Sequence, residues 1–292
     1  MNRVLIVGCG DIGRRLARRW QEEGVPVCAL ARSSRSARRL EGLGIAPIPG
    51  DLDEPATFAL LPTKGALAYY LAPPPEGGDS DPRVQAFLDR IPPGEEPEKI
   101  VYMSTTAVYG DLRGGWATEE TPPAPGTARG RRRLDAEDAF RAWGRERTVP
   151  VVILRVAGIY GPDRLPIDKV KGGAPVLAEH ESPYSNRIHS EDLARICVAA
   201  GSRGRGGAVY NVSDGLPGTI AEYYCAVADL LGVPRPPAVT LAEARRVMSG
   251  AMLSYLSESK RVDNRKMLAE LGVTLLYPTL ESGIAASMGE GN

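Results

Sequence analysis

Near its start the chain reads Arg3-Val4-Leu5-Ile6-Val7-Gly8-Cys9-Gly10-Asp11-Ile12-Gly13, an apolar run that breaks into G-x-G-x-x-G. Glycines at this spacing suit a diphosphate. Gly8 permits a tight turn, Gly10 lets the anion approach the backbone, and Gly13 lets a helix lie close to its strand. The N–H groups that open the helix, around Asp11 and Ile12, then face the diphosphate at the positive end of the helix dipole. Cys9 lies in the same loop, where a small side chain is expected to pack rather than to do redox chemistry.

A second polar set, Arg32-Ser33-Ser34-Arg35, follows the apolar stretch Pro26 to Ala31. A fold that prefers NAD usually ends this strand with an acid that accepts from the ribose hydroxyls. Here Ala31 takes that place. Arg32, with Ser33 and Arg35, can instead hold a 2′-phosphate through charge-assisted contacts, which favours NADP and leaves NAD possible. Alternatively, Arg32 stacks on the adenine. Asp51 could accept from the adenine amino group with Leu52 packed on the ring, or Asp53 simply caps a helix over Pro55 to Leu61. Farther on, Ser104-Thr105-Thr106-Ala107-Val108-Tyr109-Gly110 sets hydroxyls in a row at a strand end, where they either face a substrate or act as caps. Tyr109 is the phenol of that segment, a candidate for proton transfer or a packing residue.

These residues need a frame to bring them together. Strand-length apolar runs at 4–7, 26–31, 45–48, 66–71, 99–103 and 149–155 alternate with helical patterns after Gly13 and over 36–43, 55–61, 82–91 and 131–147. Alternation of this kind predicts an α/β fold, a Rossmann-type doubly wound parallel sheet. Ligands of such sheets sit beyond the carboxyl ends of the strands, so Leu71 and Ala72 would run along the cofactor. The expected division is a dinucleotide-binding domain over 1–163, with a strand at 208–213 added to its sheet. A smaller, interleaved substrate-binding region would occupy 164–292, with helices near 220–231, 241–248 and 264–271. Substrate specificity is expected in the loops between Pro166 and Arg187. Ser190 can cap a helix through Cys197, with Glu191 and Asp192 in its first turn, so His189 reads as structural rather than catalytic.

Composition narrows the partners. The chain has 36 basic and 36 acidic residues, which gives no net-charge argument for nucleic acid. Basic clusters at 14–19, 32–39 and 129–133 read as solvated helix faces. Cys9, Cys28, Cys197 and Cys225 show no metal spacing and suit a reducing cytoplasm better than a disulfide framework. No stretch reaches about 18 uninterrupted apolar residues, so no membrane span is expected.

Taken together, these stretches resemble the extended short-chain dehydrogenase/reductase superfamily, which includes the NAD(P)-dependent sugar-nucleotide epimerases and dehydratases. The resemblance rests on the glycine loop, Gly50-Asp51-Leu52, Ser104 to Gly110 and Leu154-Arg155-Val156-Ala157-Gly158-Ile159-Tyr160-Gly161-Pro162. It extends to Arg187-Ile188-His189-Ser190-Glu191-Asp192-Leu193-Ala194 and Lys266-Met267-Leu268-Ala269-Glu270-Leu271-Gly272. It implies an NAD(P) cofactor and a small-molecule substrate, such as a nucleotide sugar or a carbonyl compound. Members are often dimers through a four-helix interface, so a monomer or homodimer is expected, without nucleic acid, membrane or metal. The superfamily's Ser or Thr matches Thr105, which would hold the reacting oxygen, with Thr106 beside it. Its Tyr-x-x-x-Lys pair is replaced. Counting back from Glu137 puts Arg133 at the Lys and Arg129 at the Tyr. Arginine stays protonated and is a poor general acid or base. Arg133 could still bind ribose hydroxyls, and Arg129 an anionic substrate or an oxyanion. The departure is similar to the atypical branch of the superfamily. Two outcomes follow: an atypical NADP-dependent oxidoreductase or epimerase-like enzyme, or a dinucleotide-binding regulator or redox sensor without turnover.

Overall fold

Strand β1 (Arg3–Val7) is apolar after its first residue, and Val4 to Val7 are fully buried. A run with no solvent face belongs in mid-sheet with helices on both sides. A computed structural model, which describes residues 1–58 and 60–289, has that arrangement. Around β1 lie β2 (Val27–Ala31), β3 (Ala46–Pro49), β4 (Ala66–Tyr70), β5 (Lys99–Thr105), β6 (Val151–Val156) and β7 (Val209–Val212). They form one seven-stranded sheet in the order β7-β6-β5-β4-β1-β2-β3. Every pairing in it is parallel. The strand order reverses between β1 and β4, and a crevice opens at the carboxyl ends there.

Helices α1 (Asp11–Glu22), α2 (Ser34–Glu41), α3 (Pro82–Leu88), α4 (Ala128–Arg147) and α5 (Ser190–Arg203) cover the sheet. On one face Leu16, Ala17 and Trp20 of α1 share a core with Leu193, Ile196 and Cys197 of α5. Trp20 donates to the Tyr69 hydroxyl at 3.2 Å, and that hydroxyl donates to the Cys197 carbonyl at 3.1 Å. Both buried polar groups are thereby satisfied. On the other face Phe87 of α3 and Phe140 of α4 meet Tyr70 and Tyr102, with Phe140 to Tyr102 ring centroids 4.8 Å apart. A third core, around Tyr160, Tyr223, Tyr224, Val227 and Ile284, lies in the C-terminal part.

Three local expectations are corrected. The helix expected over 55–61 is a short turn, Pro55–Thr57, with Phe58 extended and Ala59 outside the described residues. Asp53 does not cap it, because both carboxylate oxygens accept from Arg83 at 2.6 Å. The cap of α5 is His189, not Ser190. Its Nδ1 accepts from the Glu191 N–H at 3.2 Å, and Ser190 opens the helix itself. Helix α4 begins at Ala128 rather than Arg131, capped by Thr127, whose hydroxyl accepts from the Gly130 N–H. The sequence also hid helices at Gly250–Leu256 and Leu280–Gly289. Among the described residues, no helix is long and apolar enough to cross a membrane, and no group of His, Cys, Asp and Glu could hold a metal ion.

Candidate functional site

The glycine loop is shaped by close approach on one side and open space on the other. Gly8 has φ +94°, and a Cβ there would lie 2.4 Å from the Ala72 nitrogen. The loop thus lies flush on the end of β4, and the Leu71 N–H donates to the Val7 carbonyl at 2.7 Å. A Cβ on Gly13 would meet the Gly8 carbonyl oxygen at 3.0 Å, so that glycine sets the distance between α1 and β1. Gly10 differs: nothing lies within 4 Å of where its Cβ would be. It is the cap residue of α1 and makes no side-chain cap hydrogen bond. An open backbone at a helix N-terminus, between two tight glycines, has the form of a diphosphate cradle. Asp11 at this end accepts from Arg15 at 3.0 Å and Arg164 at 2.8 Å. Burial pushes its carboxyl up, but the hydrogen bonds from Arg164 and Arg15 outweigh this and hold it below the usual range. Ile12 is buried in the core beneath the helix. Burial pushes the Cys9 thiol up to about 11, with Arg14 opposing, so it stays protonated at neutral pH and packs.

A cavity of about 200 Å³ beside the loop is lined by Gly8, Leu30, Arg32, Asp51, Leu52 and Ala72, among others. The Arg32 side chain is 72% exposed, with its Nε 4.0 Å from Asp51. Ser33 caps α2 by accepting from the Ser36 N–H, and Arg35 is exposed in the first turn of that helix. Arg133 reaches the strand ends from α4. One of its guanidinium nitrogens donates to the carbonyls of Ala72 at 3.2 Å and Met103 at 3.0 Å.

The segment after β5 splits in two. Ser104 points into the core, where its hydroxyl donates to Glu137 at 2.6 Å, and Arg155 pairs with the same carboxylate at 2.8 Å. Tyr109 is fully buried and donates to Asn211 Oδ1 at 2.7 Å, with the Arg155 guanidinium 4.8 Å from its ring. Burial pushes its phenol up. Tyr109 is therefore a core residue and does not line the cleft, which corrects its candidacy for proton transfer. Thr105 and Thr106 do line it, although the Thr105 hydroxyl also accepts from the Ala107 N–H at 3.3 Å.

That cleft is a cavity of about 280 Å³ between the sheet and the C-terminal part. Arg129 enters it because Gly130 packs α4 tightly against the preceding turn: a Cβ on Gly130 would lie 2.7 Å from the Ala107 carbonyl oxygen. The neighbours of Arg129 turn elsewhere, Arg131 to Asp79 and Arg132 to the Gly78 carbonyl. The 166–187 loops contribute Tyr184, Ser185 and Asn186. Sequence reasoning missed Tyr255, Glu258 and Lys260, which form part of the opposite wall. Lys260 donates to the Gly110 carbonyl and to Glu258, each at 2.7 Å. In sequence Glu258-Ser259-Lys260 is indistinguishable from a solvated loop, and only the tertiary fold buries Lys260.

The profile of the NAD dependent epimerase/dehydratase family matches residues 90–213. A conserved, functionally unknown protein from Silicibacter pomeroyi is 32% identical, with a TM-score of 0.84 and 99% of each chain covered. Protein YeeZ of Escherichia coli strain K12 is 28% identical over 299 residues, covering 95% of this chain and 97% of its own. The dTDP-glucose 4,6-dehydratase of Bacillus anthracis, solved in complex with NAD, shares the fold at 19% identity. Its TM-score is 0.77, with 99% of this chain and 96% of that chain covered. With the strand order, the glycine loop and the strand-end cleft, these matches mean that the chain belongs to the NAD dependent epimerase/dehydratase family of the extended short-chain dehydrogenase/reductases.

Proposed function

We propose that this chain binds a nicotinamide dinucleotide across the strand ends and acts on a small polar substrate in the adjoining cleft, as an atypical NADP-dependent oxidoreductase or epimerase/dehydratase-like enzyme. The observation that carries this reading is the open backbone at Gly10 beside the closed approach of Gly8 to Ala72. When bound, the cofactor supplies a carbon that gives or takes a hydride. The chain's own residues would do the rest. The open N-terminus of α1 takes the diphosphate, Leu52 packs on the adenine near Asp51, and Leu71 and Ala72 run beneath the cofactor. Thr105 orients the reacting oxygen with Thr106 beside it, and Arg129 takes an anionic group of the substrate or stabilises negative charge at that oxygen. Free cysteines throughout fit a reducing cytoplasm. The substrate would be a nucleotide sugar or a carbonyl compound, and the protein a monomer or homodimer.

Arg32, exposed at the end of β2 with Ser33 and Arg35 following, supports NADP over NAD. Calorimetric titration with NADPH, NADH and their oxidised forms tests both points. NADPH is expected to bind more tightly than NADH, and Arg32→Ala to weaken it by about 1–3 kcal/mol through loss of a charge-assisted contact. Equal affinities would remove the NADP preference, and no binding to any of the four would overturn the cofactor reading.

A second reading, a dinucleotide-binding regulator or redox sensor without turnover, draws on Arg133. Its guanidinium is engaged by the Ala72 and Met103 carbonyls at the position of the family's lysine, and Arg129 cannot serve as the acid. Consumption of NADPH with any carbonyl substrate would rule it out.

A further inference from the structure

The cleft beside Thr105 carries two charged groups whose bonding is incomplete. Among the described residues Arg129 has no ion pair; its guanidinium carbon lies 5.8 Å from the centre of the Tyr255 ring. Arg164, also on the wall, is paired with Asp11, and Lys260 with Glu258. Arg129 is thus the uncompensated charge of the site, and it is positive. The Glu258 side chain is 9% exposed. One of its oxygens takes the Lys260 ammonium at 2.7 Å, and the other is buried with no hydrogen-bond partner.

Burying an ion pair is costly, and leaving one carboxylate oxygen orphaned adds to the cost. Buried polar groups in folded proteins are otherwise nearly always satisfied. A donor arriving in the cavity would satisfy this one. The terminal carboxylate torsion is broad, so Glu258 can turn an oxygen toward the cavity. Lys260, with three donors, keeps the other.

We infer that the cavity binds a small hydroxylated anion, a carboxylate or phosphate ester with a neighbouring hydroxyl, the anion on Arg129 and the hydroxyl donating to Glu258. The inference rests on reading the cleft as a substrate site and adds the class of substrate. The volume of about 280 Å³ suits the reacting end of such a molecule.

Calorimetry on the full chain with inorganic phosphate, glycerol, glycerol 3-phosphate and glycerate tests it. At least one of the two hydroxylated anions is expected to bind about tenfold or more tightly than phosphate or glycerol. Which one binds tells carboxylate from phosphate. Glu258→Gln should shrink that advantage, because a neutral amide oxygen accepts more weakly than a carboxylate, without weakening phosphate binding, and Arg129→Ala should abolish anion binding. Because Glu258→Gln also deprives Lys260 of its partner, Glu258→Asp is the second variant. It keeps the charge but withdraws it, and should lose the same advantage, with a melting curve of each variant showing that the chain still folds. Hydroxylated anions that bind no better than phosphate, or an advantage that survives both substitutions, would overturn the inference. Titrating NADPH into the same samples separates the two readings. NADPH binding without hydroxylated-anion binding overturns this inference alone, and the converse overturns the cofactor reading alone.

Discussion

Gly8 and Gly10 stand two residues apart in one loop, yet alanine should act on them through different physics. At Gly8 the backbone is left-handed, φ +94°, and the added methyl would strike the Ala72 backbone at 2.4 Å. Gly8→Ala should therefore destabilise the whole fold, by about 2–4 kcal/mol, and lose the cofactor as a consequence. At Gly10 the methyl would meet nothing, so Gly10→Ala should melt within about 1 kcal/mol of the parent while losing NADPH affinity. Urea unfolding and NADPH titration on the same samples check this pair. A Gly10→Ala protein that binds NADPH normally would remove the diphosphate from this loop. Glycine spacing was legible in the sequence because each glycine answers a backbone demand. The role of Tyr109 was not. Whether a phenol at a strand end faces a ligand or the core depends on Asn211, a hundred residues away, which takes its hydroxyl.

At the scale of elements, α1 is held to α5 by more than its apolar stripe. Glu191, in the first turn of α5, accepts from Arg15, from Arg18 at 3.3 Å and from Arg19 at 2.6 Å. In sequence the Arg14–Arg19 cluster looked like a solvated helix face, and the misreading has a plain cause: its counter-charge arrives from beyond residue 190. Helical spacing shows which side of α1 is polar, but not what that side meets. Burial pushes the Glu191 carboxyl up, while the hydrogen bonds from Arg19 and Arg15 outweigh it and hold it below the usual range. A carboxyl depressed by folding stabilises the protein above its unfolded value, and that stability is lost as pH falls through the folded value. Glu191→Gln should thus lower stability by about 1–3 kcal/mol at pH 7, less than for a deeply buried pair because Arg18 reaches water. The difference should shrink as pH falls below the ordinary glutamate value of 4.5. Urea midpoints of both proteins across this range are the measurement; a difference independent of pH would mean that the effect is packing rather than charge.

Across the whole molecule, the alternation of strands and helices was enough to foresee the parallel sheet, including the late strand that joins it as β7 beside β6. What the alternation could not supply is the cleft, whose walls come from the end of β5, the start of α4, the 184–186 loop and the 255–260 segment. Such a surface exists only once distant segments are folded together. The same closure creates a pH-sensitive joint behind the cleft. Asp214 follows β7, is 9% exposed, and donates its N–H to the Arg187 carbonyl at 2.7 Å. Burial pushes its carboxyl up to about 7, reinforced by Asp192 and opposed by the Leu216 N–H and Arg187. A carboxyl raised by folding binds more protons in the native than in the unfolded chain, so native stability should fall as pH rises from about 4 to about 7. Asp214→Asn keeps an oxygen that can accept from the Leu216 N–H at 3.0 Å and removes the titration. The variant should therefore gain on the parent steadily across that interval and hold a constant lead above it. Urea midpoints followed from pH 4 to pH 8 decide the point. Parallel curves for the two proteins would mean that Asp214 is ionised in the native state throughout, its burial offset by Arg187.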